Sequence, residues 1–356
     1  MRWPWIVGAL GAVIAGGVAV TGIAVASPEP RFAASETSPR ASIFPPPPED
    51  PPLIEEEAPQ PEVDEPPDYP LERRPPPTLS EIDVTMTPNE FTNDPVLGRS
   101  ERVVGEGVKG MIAFTFDDGP VPSTTPAILA ALRKYNIPAS FFIVTRHFGH
   151  KKPDYRQRAK ELLAQEVADG HIVGSHTIMH ERLLFAGAPQ IDREVDGSLK
   201  ELAAFAKKPI GMFRAPFGKI SYTGRKRLKS LGVTEVFWSI DPRDWEAVSG
   251  DEQYMRNEIA YSIRNAGGGV ILLHDSKPVT AAIIENVFDD LEAYNCKKLA
   301  LNQAPIYPVS LHYFLRDEGD KPRPVPADVD ARTQAYKAAL PGRCAARKKL
   351  KKPLAK

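Results

Sequence analysis

The sequence lacks several features that define common protein classes. It has only two cysteines, Cys296 and Cys344, which allow at most one disulfide. In an oxidising compartment that bond would close a loop of about 48 residues and stabilise the chain by about 4 kcal/mol in the chain-entropy model. Two separate free thiols remain the alternative. No nucleic-acid motif occurs, and no aromatic residues interleave with the one strongly basic stretch, RCAARKKLKKPLAK, which argues against a nucleic-acid partner.

Charge and apolarity are distributed unevenly, although 45 basic and 46 acidic residues nearly cancel. Residues 3–26, WPWIVGALGAVIAGGVAVTGIAVA, contain no charge and are long enough to span a bilayer. Their last three residues have the small-x-small pattern that a signal peptidase cleaves. We interpret 1–26 as a signal peptide or an N-terminal membrane anchor. Both alternatives imply export to the periplasm or cell envelope, anchored or secreted.

Residues 27–105 are rich in proline and acid, as in FPPPPEDPPLIEEEAPQPEVDEPPDYP. Such a composition cannot bury enough apolar surface to offset the entropy of ordering the chain. We therefore predict a disordered, partly polyproline linker that separates the N-terminus from a folded domain. At the other end, we describe 317–356 as a basic C-terminal tail, either a solvated end or a contact for phosphate-bearing polymers or lipid headgroups.

The remaining range, 106–316, alternates short apolar runs with longer helical patterns. The predicted strands lie in GMIAFTF, ASFFIV, HIVGS, GMFRA, EVFWSI, GVILLH and PIYPVSL. This alternation favours β-α units around a mostly parallel sheet that is covered on both sides. No glycine-rich turn follows the first strand, so a closed or nearly closed barrel fits better than a doubly wound sheet.

Reactive side chains follow five of the predicted strands. They are Asp117 and Asp118, His176, Arg214, Asp241 and Asp244, and His274 with Asp275. In a parallel α/β barrel all these strand ends open onto one face, where such folds build their active sites. The sequence therefore predicts one site formed by the ends of several strands.

Two histidines in SHTIMH suggest a metal site. On a helical turn His176 and His180 would point the same way and could share one ion. Asp118 is the natural third ligand, because two imidazoles and one carboxylate leave positions open for water and substrate. The neighbouring Asp117 would then be free to act as a base.

Five motifs occur in the order and approximate spacing of a known family: TFDDGP, SHTIMH, RAPFG, DPRDW and LLHD. They resemble the motifs of the NodB-type polysaccharide deacetylases, carbohydrate esterase family 4, over 115–275. The resemblance implies a distorted (β/α) barrel that removes N-acetyl groups from sugars with one divalent metal ion, usually Zn²⁺. It also implies that Asp118, His176 and His180 hold the metal.

The resemblance implies a role for other residues as well. Asp117 would be the general base, oriented by Arg214, and His274 would protonate the departing amine. Asp244 would align His274, with Asp241 as the alternative. The backbone N–H of Phe217, where the family more often has tyrosine, would stabilise the oxyanion. Finally, Trp245, Leu272 and Leu273 would line the pocket for the acetyl methyl group.

We expect from these features an exported, metal-dependent deacetylase of N-acetylglucosamine-containing polysaccharide. Export and the long linker place peptidoglycan ahead of chitin oligosaccharide. Two alternatives stay open: a non-catalytic glycan-binding module on the same fold, and an esterase that removes O-acetyl groups from xylan.

Overall fold

Strands and helices alternate along the chain as the sequence predicts. The computed structural model describes residues 97–106 and 108–350. The strands are β1 (Met111–Asp117), β2 (Ala139–Ile143), β3 (Ile172–Ser175), β4 (Met212–Phe213), β5 (Thr234–Glu235), β6 (Gly269–His274), β7 (Tyr307–Pro308), β8 (Arg316–Asp317) and β9 (Lys321–Pro322). The α-helices are α1 (Thr125–Tyr135), α2 (Pro153–Ala168), α3 (Ala188–Ile191), α4 (Gly197–Ala206), α5 (Tyr222–Leu231), α6 (Glu252–Ala266), α7 (Pro278–Ala300) and α8 (Ala327–Leu350).

The main sheet is parallel, with strand order β5-β4-β3-β2-β1-β6, and β7 pairs with the start of β1. Parallel neighbours need a crossover connection, which the intervening helices supply. Each of the seven predicted strand segments overlaps one of β1 to β7, although EVFWSI shares only Glu235 with β5. The central position of β1, between β2 and β6, explains why its residues are almost all buried.

The two edges of this sheet approach each other. The chain leaving β5 first bridges the N-terminal segment, Val103 with Val236, and then reaches β6, where Ile240 bridges Ile271. The N–H of Leu272 donates to the carbonyl of Ile240 at 2.9 Å. Residues 236–240 therefore form a seam across the gap, and the sheet curls into the predicted distorted (β/α) barrel.

Strand side chains divide between two buried layers because successive residues point to opposite faces. Phe114 lies in the larger layer, between sheet and helices, edge-on to Phe288 of α7 at 5.0 Å. Its neighbour Ala113 lies in a smaller apolar cluster in the barrel interior. Thr115 and Asp117 share the face of Ala113, so the interior becomes polar toward the end of β1.

Helix α1 shows how local sequence sets a helix. Pro126 lies in its first turn, which its fixed φ suits, and Asn136 ends the helix in the left-handed conformation with φ 53°. Ile128, Leu129 and Leu132 are completely buried. This is the helical spacing that the sequence predicts, and each such side chain contributes about 1.5 to 3 kcal/mol when buried.

The folded domain begins earlier than the boundary at 106. Leu97 and Val103 pack in the barrel interior, and Thr234 Oγ1 donates to the carbonyl of Leu97 at 2.7 Å. The assignment of 97–105 to the linker is therefore wrong. The prolines before this segment dominated the composition, whereas Leu97 and Val103 attach the segment to the folded domain. The predicted signal or anchor and the linker up to residue 96 lie outside the described residues. Within the described part, no helix is both long and apolar enough to cross a bilayer.

Most of the range called a basic tail is helix α8. Tyr336, Leu340 and Cys344 are buried at a spacing of four residues, which forms one apolar stripe. Cys296 of α7 and Cys344 form a disulfide with Cα atoms 5.4 Å apart. Arg347 pairs with Asp289 of α7 as well. The basic range predicted to be a tail thus contains a helix that packs on the barrel.

Candidate active site

The carboxyl ends of the parallel strands bring the predicted polar residues together. β1 ends at Asp117, which lies in register beside His274 at the end of β6. His176 and Arg214 directly follow β3 and β4. The N–H of Arg214 donates to the carbonyl of Ser175 at 2.9 Å, which fixes these two strand ends relative to each other. The predicted convergence of strand ends is present.

Three side chains are placed so that they could share one metal ion. One ligand atom from each of Asp118, His176 and His180 lies within 4.8 Å of the other two. Asp118 Oδ1 is 3.6 Å from His176 Nε2 and 3.3 Å from His180 Nε2. A carboxylate with two imidazoles is a donor set that leaves further coordination positions open.

The two histidines converge from a loop and not from the helical turn that their spacing predicts. Residues 176–180 follow β3 without helical structure. Thr177 and His180 adopt left-handed backbone, with φ 74° and 60°, and the N–H of His180 donates to Thr177 Oγ1 at 2.9 Å. The ring centroids of His176 and His180 are 5.0 Å apart. The expectation of a helix is wrong, because left-handed residues reverse the chain within the same four positions.

Both imidazoles can present a lone pair to a cation. His176 Nδ1 lies 2.7 Å from the carbonyl oxygen of Arg214. A carbonyl only accepts, so Nδ1 carries a proton, and in the neutral ring Nε2 then presents its lone pair toward Asp118. Burial, followed by the proximity of His176, lowers the pKa of His180 to about 4. The His180 ring is thus neutral near pH 7, as metal ligation requires.

The electrostatics of Asp118 suit a metal ligand. Burial alone would raise the pKa of this carboxyl, but the nearby imidazoles, that of His274 first, lower the pKa to about 2. Its Oδ1 has no hydrogen-bond donor among the described residues. A buried, ionised oxygen facing two nitrogen lone pairs is unfavourable unless positive charge lies between them. This donor set therefore fits a divalent metal ion.

Arg214 fixes the second acid, Asp117, and both side chains are almost completely buried. Its Nη1 donates to Asp117 Oδ1 at 2.7 Å, while Nη2 and Nε donate to the carbonyls of Phe237 and Val236 at 3.1 and 3.3 Å. These contacts leave the guanidinium one orientation. The other oxygen of Asp117, Oδ2, lies 3.7 Å from His176 Nε2 and so faces the candidate metal ligands.

Asp244, not the alternative Asp241, aligns His274. Asp244 is completely buried, and its Oδ1 lies 2.7 Å from His274 Nδ1 while its Oδ2 accepts from the N–H of His274 at 2.8 Å. Thr280 Oγ1 also donates to Oδ2 at 2.6 Å. Asp241 is exposed and accepts from the N–H of Arg243. Burial alone would lower the pKa of His274, but the hydrogen bond and charge of Asp244 raise it to about 9.

Two exposed aromatic residues border the site. Phe217, in a short 3₁₀ turn with its own φ at 57°, is 49% exposed, and its ring centroid is 4.8 Å from that of His180. Trp245 is 43% exposed and follows the buried Asp244. Their contact with substrate stays a prediction.

The prediction that Leu273 lines the acetyl pocket is wrong. Leu273 is completely buried in the layer between sheet and helices. Alternation along β6 turns it away from the face that carries His274. Leu272 lies one position before Leu273 and has the opposite orientation, with Thr115 as its partner in register. Of the two leucines, only Leu272 shares the interior face of the site.

His147 supports the backbone of Asp118 and was not among the residues predicted from the sequence. His147 Nε2 lies 2.8 Å from the carbonyl oxygen of Asp118, and Nδ1 lies 2.8 Å from the hydroxyl of Tyr155. Since the carbonyl only accepts, Nε2 carries the proton and Tyr155 donates to Nδ1. His147 belongs to the polar run after β2, so attention to every strand end would have identified it.

Comparison with known proteins finds relatives that are named as deacetylases or carbohydrate esterases. The model of the family described as "Polysaccharide deacetylase" matches residues 105–236. A chitooligosaccharide deacetylase of Azorhizobium caulinodans is 33% identical over 193 residues, which cover 54% of this chain and 85% of that protein. A peptidoglycan-N-acetylglucosamine deacetylase of Bacillus cereus is 32% identical over 188 residues, covering 51% of this chain and 82% of that protein. Among solved structures, a family 4 carbohydrate esterase from Streptomyces lividans, in complex with acetate, shares 29% identity and a TM-score of 0.44, over 52% of this chain and 89% of that one.

Proposed function

Because this chain belongs to the polysaccharide deacetylase family, we propose that it hydrolyses N-acetyl groups of N-acetylglucosamine-containing polysaccharide. Peptidoglycan is the favoured substrate and chitin oligosaccharide the next. One observation carries the proposal: Asp118, His176 and His180 converge on one point, and a second acid, Asp117, faces the same point.

Asp118, His176 and His180 would hold one divalent ion, for which we propose Zn²⁺. Mixed nitrogen and oxygen ligands suit zinc, and three protein ligands are typical of its catalytic sites. When bound there, the ion would polarise the acetyl carbonyl as a Lewis acid and make water more acidic.

Asp117 would act as the general base. Arg214 holds one of its oxygens at 2.7 Å, and the other oxygen faces the ligand cluster. A water molecule between that oxygen and the acetyl carbonyl would lose its proton to Asp117 as it attacks.

His274 would supply the proton that the departing amine needs. Its Nδ1 is bound to Asp244 at 2.7 Å, which directs Nε2 away from that acid. Since the pKa of His274 is raised to about 9, the ring carries the required proton at neutral pH. A base and an acid on adjacent strands, β1 and β6, would thus carry out two proton transfers: Asp117 takes a proton from the attacking water, and His274 gives one to the departing amine.

The remaining contacts concern the acetyl group itself. The N–H of Phe217, whose ring packs on His180, would donate to the carbonyl oxygen as negative charge develops there. Trp245 and Leu272 would contact the acetyl methyl.

We also propose that the protein acts outside the cytoplasm. The uncharged run at residues 3–26 and the proline-rich segment after it support export, with or without retention as an anchor. Such a location would place the domain near cell-wall glycan.

Acetate release from N-acetylated glucan and from peptidoglycan, measured with and without a chelator, tests the proposal. We expect release that the chelator abolishes and added Zn²⁺ restores. Retained glycan binding without any release would favour a non-catalytic binding module. Release from acetylated xylan alone would favour an O-acetyl esterase.

A further inference from the structure

Two loops beside His180 form one rigid edge of the site, here called the Phe217 rim, comprising residues 181–187 and 216–222. Leu183 bridges Ile220 between the loops. Ser221 donates its N–H to the carbonyl of Leu183 at 2.8 Å and its hydroxyl to that of Ala186 at 2.7 Å. The rim therefore presents its side chains in a fixed arrangement.

The Phe217 rim carries a positive charge that stacks on the aromatic ring. The guanidinium carbon of Arg182 lies 4.2 Å from the ring centroid of Phe217. Stacking occupies only the face of the guanidinium, so its N–H groups remain available at the edge. Across 97–106 and 108–350, no carboxylate forms an ion pair with Arg182 or with the exposed Lys219 on the other loop.

The acid next to Arg182 is already neutralised. Glu181 pairs with Arg193 at 2.9 Å and accepts from Gln190 Nε2 at 2.8 Å. The carboxylate of Glu181 is therefore held by the following helical segment. Arg182 keeps its charge for another partner.

A second arginine-aromatic stack, at Arg243 and Trp245, has its charge neutralised. Arg243 lies over Trp245, its guanidinium carbon 5.2 Å from the ring centroid. This arginine forms an ion pair with Glu246, and its N–H is bound by Asp241. One edge of the site is thus neutralised while the Phe217 rim is cationic.

We propose that Arg182 binds a carboxylate of the substrate glycan and so selects acidic glycans over neutral ones. The planar guanidinium matches a carboxylate bidentately, and Phe217 fixes its plane. The inference rests on the proposed function and specifies its substrate. A glycan whose sugars carry free lactyl ether carboxylates, as in peptidoglycan strands whose stem peptides have been removed, fits the Phe217 rim better than an uncharged chitin chain.

The test compares two tetrasaccharides of equal length: one with lactyl carboxylates on alternating N-acetyl sugars, and neutral N-acetylchitotetraose. The full chain loaded with Zn²⁺ is assayed for acetate release, and kcat/KM is measured for each glycan. Arg182→Met retains apolar cover on Phe217 without charge, whereas Arg182→Lys retains charge without the planar fork. Arg133→Gln, which removes an exposed charge at the far end of α1, is the control.

We expect the acidic-to-neutral ratio of kcat/KM to fall about fivefold in Arg182→Met, the effect of one partly exposed ion pair. Arg182→Lys should restore part of this preference, and Arg133→Gln should leave it unchanged. Raising the salt concentration from about 0.05 to about 0.5 M should weaken the preference of the unsubstituted protein, since exposed charges are screened. Methyl esterification of the lactyl carboxylates should abolish it.

An unchanged ratio in Arg182→Met would overturn this inference, including the case where activity on both glycans falls equally because Phe217 has lost support. Acetate release would in that case leave the proposed function intact. Release from neither glycan by the unsubstituted protein would overturn the proposed function and this inference together.

Discussion

Replacing each of the two adjacent acids should separate metal binding from catalysis. Asp118 Oδ1 lies within 3.6 Å of both imidazole nitrogens, whereas Asp117 approaches only His176 and is otherwise bound to Arg214. Asp117→Asn should therefore retain zinc and lose turnover. Asp118→Asn and His176→Ala should lose both.

The expected magnitudes follow from these contacts. Loss of a general base lowers kcat by about 10² to 10⁴. Changing groups that merely support a metal ligand costs about 10 to 100-fold in affinity, so loss of Asp118 itself should cost about 100-fold or more. Asp117→Asn also leaves the charge of Arg214 buried without a counter-charge, which destabilises a protein by about 3 to 5 kcal/mol. Thermal unfolding must therefore be recorded for each variant.

The assay measures zinc per chain after dialysis and acetate release in the same preparations. Asp241→Asn makes the same chemical change at an exposed acid that does not contact His274, and it should resemble the unsubstituted protein. Equal zinc loss in Asp117→Asn and Asp118→Asn would show that the roles of the two acids are exchanged. Zinc affinity unchanged in Asp118→Asn would refute the ligand assignment.

Three further predictions follow from charge, cross-linking and burial. In Asp244→Asn the pKa of His274 should fall from about 9, so the loss of kcat at alkaline pH should begin at lower pH; an unmoved alkaline limb in the pH profile would reject His274 as the acid. Cys344→Ser should lower the free energy of unfolding by up to about 4 kcal/mol in urea titrations, and a reductant should lower it only in the unsubstituted protein. Burial lowers the pKa of His147 and His171 to about 4, so the unfolded chain binds more protons between about pH 6.5 and 4. Stability should therefore decline as the pH falls through that window, and urea midpoints that stay constant there would contradict this explanation.

The sequence predicts the site better than it predicts how the chain builds the site. Parallel strands necessarily place their carboxyl ends on one edge of the sheet. The proximity of Asp117, His176 and His274 could therefore be predicted from the sequence. The conformation of 176–180 could not, because helical and left-handed paths give the same spacing of four. Positive φ at Thr177 and His180 depends on tertiary contacts that no local pattern encodes.

Two other errors have identifiable causes. The orientation of Leu273 could have been predicted, because adjacent residues of a strand point to opposite faces of the sheet and Leu273 is adjacent to His274. The start of the domain was not, since Leu97 and Val103 are isolated apolar residues after a long proline-rich stretch. Only their partners in the barrel interior reveal that they are anchors.

The seam that closes the barrel is also the support of the proposed base. Arg214 donates to Val236 and Phe237 in the seam while it holds Asp117. Any fluctuation that parts residues 236–240 from their neighbours would release the guanidinium, and the carboxylate would lose its orientation with it. We therefore expect deacetylase activity to be lost at a lower temperature than helical structure during heating. Loss of activity would then report the opening of the barrel before global unfolding.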